Sequence, residues 1–108
     1  MGLTKTESYT TQTLALAQLF KALGHPARIA ILEFIAKQTT CICGDIVTEL
    51  PLSQASISRH LGELKAAGLI KGTITGTSVC YCLDPENMPS LVQFLNQLNS
   101  PSNQTCCS

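Results

Sequence analysis

The side chains best equipped for chemistry in this sequence are six cysteines, which fall into three close pairs: Cys41 with Cys43, Cys80 with Cys82, and Cys106 with Cys107. Nothing reads as a secretory signal, so the pairs point to metal binding or thiol chemistry rather than to the disulfide framework of a small secreted domain. No pair has the C-x-x-C spacing of a zinc ribbon or a thioredoxin-type site. Soft thiolate donors select soft ions. The 2 histidines, His25 and His60, are accounted for by a helix start and by helix packing more readily than as ligands, which leaves zinc, cobalt and nickel without nitrogen donors. A free cysteine is also simply a small hydrophobe. For Cys80 and Cys82 the plain alternative is favoured: if Val79, Tyr81 and Leu83 face the core, both thiols lie on the outer face of a strand, as ordinary surface residues.

A second set of chemically useful side chains lies between Leu50 and Ile70. Ser53 is a good N-cap, and Leu52 with Ile57 forms a hydrophobic staple. Gly68 suits the left-handed position after a helix, with Leu64 and Leu69 in contact across a Schellman ending. Ile57, Leu61 and Leu64 make one apolar stripe. The opposite face shows Gln54, Ala55, Ser56, Ser58, Arg59 and Gly62 and is small, polar and free of acids in its first two turns. A helix that enters a DNA major groove needs short side chains at its N-terminus, hydrogen-bonding tips for base edges and a cation for phosphate. An ordinary solvated face has the same composition, so the neighbouring elements decide. Residues Lys71 to Leu83 read as two β-branched strands joined through Gly76, a hairpin. A capped helix followed by such a hairpin predicts a winged helix-turn-helix, mainly α with a small β-hairpin wing.

The remaining elements must hold these two sets in place. Thr11 to Leu23 reads as a helix closed by Gly24, and Pro26 opens a second helix, Ala27 to Lys37, apolar over much of its circumference. A short helix is expected from Asp45, with Ile46, Val47 and Leu50 facing inward. Asp84-Pro85-Glu86 reads as a further helix start, and Leu91, Val92, Leu95 and Leu98 form its apolar stripe. The first nine residues, and those from Asn99 onward, are polar and expected to be loose. The expected organisation is therefore a single domain over 1–98 and a cysteine-containing tail over 99–108.

Three stretches resemble successive signatures of the ArsR/SmtB family of bacterial metal-responsive repressors: Leu23-Gly24-His25-Pro26-Ala27-Arg28, Ile57-Ser58-Arg59-His60-Leu61, and Leu64-Lys65-Ala66-Ala67-Gly68-Leu69-Ile70. The resemblance runs from about Leu14 to Leu98. It implies a homodimeric winged-helix repressor with Ser53, Gln54, Ala55, Ser56, Ser58, Arg59, His60 and Lys71 at the DNA. It also implies a dimer interface built from the first and last helices, with Leu16, Leu19, Phe20, Leu91, Leu95 and Leu98. Cys41-Ile42-Cys43 resembles the thiol-rich motif of members that sense arsenite, antimonite, cadmium or lead. Here Gly44 separates it from Asp45, and Ile46 or Val47 stands where some arsenic sensors have a third thiol. The expected ligand set is therefore Cys41 and Cys43 completed by Cys106 or Cys107 of the tail, from the same or the partner chain. The terminal helix has no histidine, so the zinc site that some relatives carry there is not expected.

Composition sets further bounds. At 108 residues the chain forms one small domain, whose stability a partner subunit would complete. With 7 basic and 7 acidic residues the formal net charge is zero, so charge does not itself argue for nucleic acid. Only the local excess of Arg59, Lys65 and Lys71 over Glu63 does. No stretch is long and apolar enough for a membrane span, and a cytoplasmic protein is expected. Short matches to myristoylation (Met1-Gly2) and glycosylation (Asn103-Gln104-Thr105) patterns are set aside, because a bacterial cytosolic regulator meets neither modification. Paired carboxylates, a Ser/His/Asp constellation and a phosphate-cradling glycine loop are all missing, so an enzyme is not expected. No permanently bound cofactor is expected either. The leading expectation is a repressor released from an inverted-repeat operator by arsenite, antimonite or another soft ion. Two alternatives stand beside it: a thiol redox-sensing repressor on the same fold, and a soft-metal-binding protein that does not bind DNA.

Overall fold

The computed structural model describes residues 8–43, 50–76 and 78–100. Among them the order is α1 (Thr11–Leu23), α2 (Pro26–Ala36), β1 (Ile42–Cys43), α3 (Gln54–Ala66), β2 (Ile70–Thr75), β3 (Ser78–Leu83) and α4 (Met88–Leu98). This is the expected winged helix-turn-helix with one addition, a third strand: β1 joins the wing, and the antiparallel sheet has the order β1-β3-β2. The expected short helix from Asp45, with Ile46 and Val47, lies outside the described residues, as does the tail with Cys106 and Cys107.

The start and stop chemistry works locally as the residue types predict. The Thr10 hydroxyl accepts the Thr13 N–H at 3.0 Å to begin α1. His25 caps α2 through Nδ1, which accepts the Ala27 N–H at 3.0 Å, and Pro26 takes the first turn, where its missing N–H costs nothing. At the end of α3, Gly68 donates to the Lys65 carbonyl and Leu69 to the Leu64 carbonyl, both at 3.0 Å. Gly68 has φ +81°, so this is a Schellman ending in which only glycine is unstrained.

One boundary differs from expectation. The last helix begins at Met88, with Asn87 in the N-cap position but without a side-chain capping bond, and not at Asp84. The Asp84 carboxylate accepts the Glu86 N–H at 3.1 Å, so it closes a turn on its own backbone instead of capping a helix. Asn87 donates from Nδ2 to the Gly68 carbonyl at 3.1 Å and ties the beginning of α4 to the end of α3.

The core gathers Leu19 and Ala22 of α1, Ile31 and Ile35 of α2, Ile57, Leu61 and Leu64 of α3, Leu69, Ile70 at the wing root, and Leu91 of α4. Leu64 and Leu69, the two sides of the Schellman contact, are completely buried. At about 25 cal/mol per Å² of apolar surface, this burial is what holds α3 against the domain.

Candidate nucleic-acid interface and thiol cluster

The apolar stripe of α3 fixes which face is left for a ligand. Ile57, His60, Leu61 and Leu64 are buried, while Gln54, Ala55, Ser58, Arg59 and Gly62 are exposed. The Ser53 hydroxyl accepts the Ser56 N–H at 3.1 Å, so its first role is to cap the helix, and Ser56 is half-buried behind it. Lys71 is exposed on β2. Arg59 and Lys71 thus supply cations on the two elements that a winged helix presents to a duplex, while Gln54 and Ser58 supply the short polar tips. Gly72 contributes by being small: a Cβ there would lie 3.3 Å from the Tyr81 ring and 3.5 Å from Lys65 Nζ.

His60 is a correction. It was expected either in helix packing or, with the other α3 residues, at the DNA; it is only 6% exposed and lies inside the helix packing, which corrects its place at the DNA. Its Nδ1 accepts from Arg28 Nε at 3.2 Å, Arg28 Nη1 donates to the Ala22 carbonyl at 3.2 Å, and the His25 ring stands 4.5 Å from the His60 ring, centroid to centroid. Burial, then the nearby His25, Arg28 and Arg59, hold the His60 imidazole below the usual histidine range. A neutral ring is also what the Arg28 contact requires, since an imidazolium has no acceptor nitrogen. His60 and Arg28 therefore join the end of α1, the beginning of α2 and the middle of α3. Position gives the reason: His60 lies three residues after Ile57, on the same stripe.

The cysteines hold the larger correction. Cys41 and Cys43 were expected to look to the tail, with Cys80 and Cys82 as plain surface residues. Instead the four sulfurs meet. Ile42 pairs with Tyr81 and Cys43 with Cys80 in the β1–β3 register. Ile42, Tyr81 and Leu83 pack against the core, so the cysteines occupy the other face of the sheet. Cys80 is nevertheless only 5% exposed. Disulfides join Cys41 to Cys82 and Cys43 to Cys80, with Cα separations of 4.6 and 4.0 Å. With these four sulfurs paired, no group of three or more His, Cys, Asp or Glu side chains among the described residues is arranged for a metal. A soft ion would need the thiols reduced. The sequence did carry a signal for this meeting: Cys-Ile-Cys and Cys-Tyr-Cys share one alternation, apolar inward and sulfur outward.

The expected dimer residues divide. Leu19 and Leu91 belong to the chain's own core, which corrects their assignment to a partner surface. Leu16 and Phe20 are half-buried against that core, and Phe20 meets Phe94 edge-on at 5.7 Å between centroids. Val92, Leu95 and Leu98, at 53%, 49% and 68% exposure, form an uncovered apolar stripe along α4.

A model of the family described as "Bacterial regulatory protein, arsR family" matches residues 25–71. An uncharacterised HTH-type transcriptional regulator of Methanocaldococcus jannaschii is 35% identical over 83 residues, covering 76% of this chain and 92% of that protein. A homolog of the cadmium resistance transcriptional regulatory protein CadC, from Staphylococcus aureus, is 36% identical over 84 residues, covering 75% of this chain and 69% of the relative. Among solved structures, an ArsR-like transcriptional regulator from Rhodococcus sp. RHA1 superposes with a TM-score of 0.73 at 23% identity, over 87% of this chain and 88% of that one, which shows a common fold.

Proposed function

We propose, from the premise that this chain belongs to the arsR family of bacterial regulatory proteins, that it is a homodimeric repressor released from its operator by a thiophilic ion. The family fixes the general role: the chain is a transcriptional regulator of a DNA-binding family, not an enzyme. No helix among the described residues is long and apolar enough to cross a membrane.

In this reading two α3 helices lie in successive major grooves, about 34–36 Å apart, and meet an inverted repeat through Gln54, Ala55, Ser58 and Arg59, with Ser53 at the helix cap and Lys71 on the wing. The exposed stripe of Val92, Leu95 and Leu98 supplies the dimer contact. Arsenite and antimonite are the leading inducers, because trivalent metalloids take thiolate sulfur and the cluster offers little else.

The observation that carries this reading is the meeting of Cys41 and Cys43 with Cys82 and Cys80. It joins the segment entering the helix-turn-helix to the wing, so a ligand bound there acts on both DNA-facing elements at once. Once reduced, Cys41 and Cys43 take their third donor from Cys80 or Cys82 across the strand, with Cys106 and Cys107 as the competing source. A ~100-fold release of operator needs ~2.7 kcal/mol of coupling, and DNA must weaken the inducer by the same factor.

The test is operator release by arsenite, antimonite, cadmium and zinc, with reduced protein. Cys41→Ser, Cys43→Ser and the Cys80→Ser/Cys82→Ser pair should each bind operator near wild type and lose the response. A protein ending at Ser100 should keep it. Loss of response only in the shortened protein would return the site to the tail, and indifference of the wild type to all four ions would refute the inducer.

A further inference from the structure

We propose that Cys41, Cys43, Cys80 and Cys82 form a reversible redox site, oxidised as Cys41–Cys82 and Cys43–Cys80, which when closed denies thiophilic ions their ligands. The final consequence rests on the proposed function; the site itself stands on strand geometry alone.

Residues on one strand of the form i and i+2 have side chains on the same face, separated by about 7 Å, too far for ready bridging within Cys41-Ile42-Cys43 or Cys80-Tyr81-Cys82. Across the strands the Cα separations are 4.6 and 4.0 Å. These suit the narrow, non-hydrogen-bonded pairs of an antiparallel ladder, about 4.5 Å apart, and alternation makes every second pair of the same kind. The backbone therefore sets up both cross-strand bridges at once. Access is graded too. Cys41 and Cys43 are exposed, Cys82 is half-buried and Cys80 is buried, so Cys41 and Cys43, before and in β1, offer the attacking sulfurs and β3 the resolving ones. Lys71 pairs with Cys82 in the β2–β3 register, which puts a positive charge on the sulfur face. Reactive cysteines occupy such partly exposed, electropositive settings.

The oxidant class is a hydroperoxide. The thiolate of Cys43 attacks one peroxide oxygen; an S–O bond forms, the O–O bond breaks, and the other oxygen leaves with a proton as water or an alcohol. The thiol of Cys80, losing its proton, then attacks the sulfenic sulfur; the S–S bond forms, the S–O bond breaks, and water leaves. The two sulfurs lose two electrons and the peroxide gains them. Cys41 and Cys82 repeat the sequence with a second peroxide. A small dithiol reverses each bridge by exchange through a mixed disulfide.

The experiment uses the full chain carrying Cys106→Ser and Cys107→Ser, treated with hydrogen peroxide or with a phosphine reductant. Alkylation should add four labels to the reduced protein and none to the oxidised one. Peptide mapping should find Cys41 linked to Cys82 and Cys43 to Cys80. In native mass spectra, arsenite should add to the reduced protein at least 10-fold more than to the oxidised one. Labels persisting after peroxide, bridges within either Cys-x-Cys, or equal arsenite binding by both forms would overturn the proposal. If the bridges map as stated but arsenite binds neither form, the redox site is upheld and it is the four-cysteine ligand set that fails, the tail cysteines being the remaining donors.

Discussion

The two bridges are nested, and this gives an unusual prediction for their removal. Cys41 and Cys82 are 41 residues apart in sequence, Cys43 and Cys80 are 37 apart, and the second loop lies wholly inside the first. In the chain-entropy account a loop of about 40 residues is worth about 4 kcal/mol, because it restricts the unfolded chain. Once either bridge is present, the other closes only a short ring of about five residues running along both strands, worth about 2 kcal/mol. Removing one bridge, as Cys41→Ser/Cys82→Ser or as Cys43→Ser/Cys80→Ser, should therefore cost about 2 kcal/mol each. Removing both should cost about 6 kcal/mol, well beyond their sum. The assay is denaturant unfolding of oxidised protein in the Cys106→Ser/Cys107→Ser background, at one fixed protein concentration because any association between copies would shift apparent stability. Two losses of about 4 kcal/mol that simply add would mean independent large loops and would refute the nested pairing. Two small losses, each already as large as the loss on removing all four cysteines, would indicate bridges within each Cys-x-Cys.

Further expectations are more local. Arg59→Ala should weaken operator binding by about 1–3 kcal/mol and flatten the preference at one base pair if Arg59 reads a base; a uniform loss across sequences would assign it to phosphate, and unchanged affinity would remove it from the interface. Replacing Leu95 and Leu98 by Gln should give a monomer in sedimentation with no operator complex at working concentration, and a persistent dimer would refute the α4 interface. Because burial holds the folded His60 below the histidine range, the unfolded chain binds the extra proton; stability should fall as pH drops below about 6.5 and be fully restored above it. His60→Asn, which keeps an acceptor near Nδ1, should flatten unfolding free energy between pH 7.5 and 5.5, and an unchanged slope would show that His60 is not the group responsible. Gly68→Ala, forced to φ +81° with its Cβ against the Asn87 amide, should lose more than about 1 kcal/mol in the same melts.

What could be read in advance was whatever local chemistry decides. Ser53, Gly68 and the Leu64–Leu69 contact bounded α3 correctly because caps act within a few residues of themselves. Pro26 and Gly24 placed the α1–α2 junction for the same reason. Asp84 misled because a carboxylate before Pro85 serves an isolated turn as well as a helix, and only the distant Gly68 carbonyl shows that Asn87 is the residue anchored there. β1 could not be found locally: two residues become a strand only by pairing with Tyr81 and Cys80. For that reason the sequence showed the two Cys-x-Cys pairs but not that they face each other across the strands. The face of His60, by contrast, was readable, since its spacing from Ile57 and Leu64 already put it on the buried stripe.

The hydrogen bond from Asn87 to the Gly68 carbonyl has a geometric consequence. It fastens the residue that leads into α4 to the turn that ends α3, with Leu69 buried beside it and Leu91 of α4 in the shared core. If α4 pairs with its copy, the angle between the two subunits and the distance between the two reading helices become a single variable. A half-site spacing longer or shorter by one base pair would then be felt as torsion at Asn87, and shortening this side chain should relax the spacing requirement before it alters any base preference.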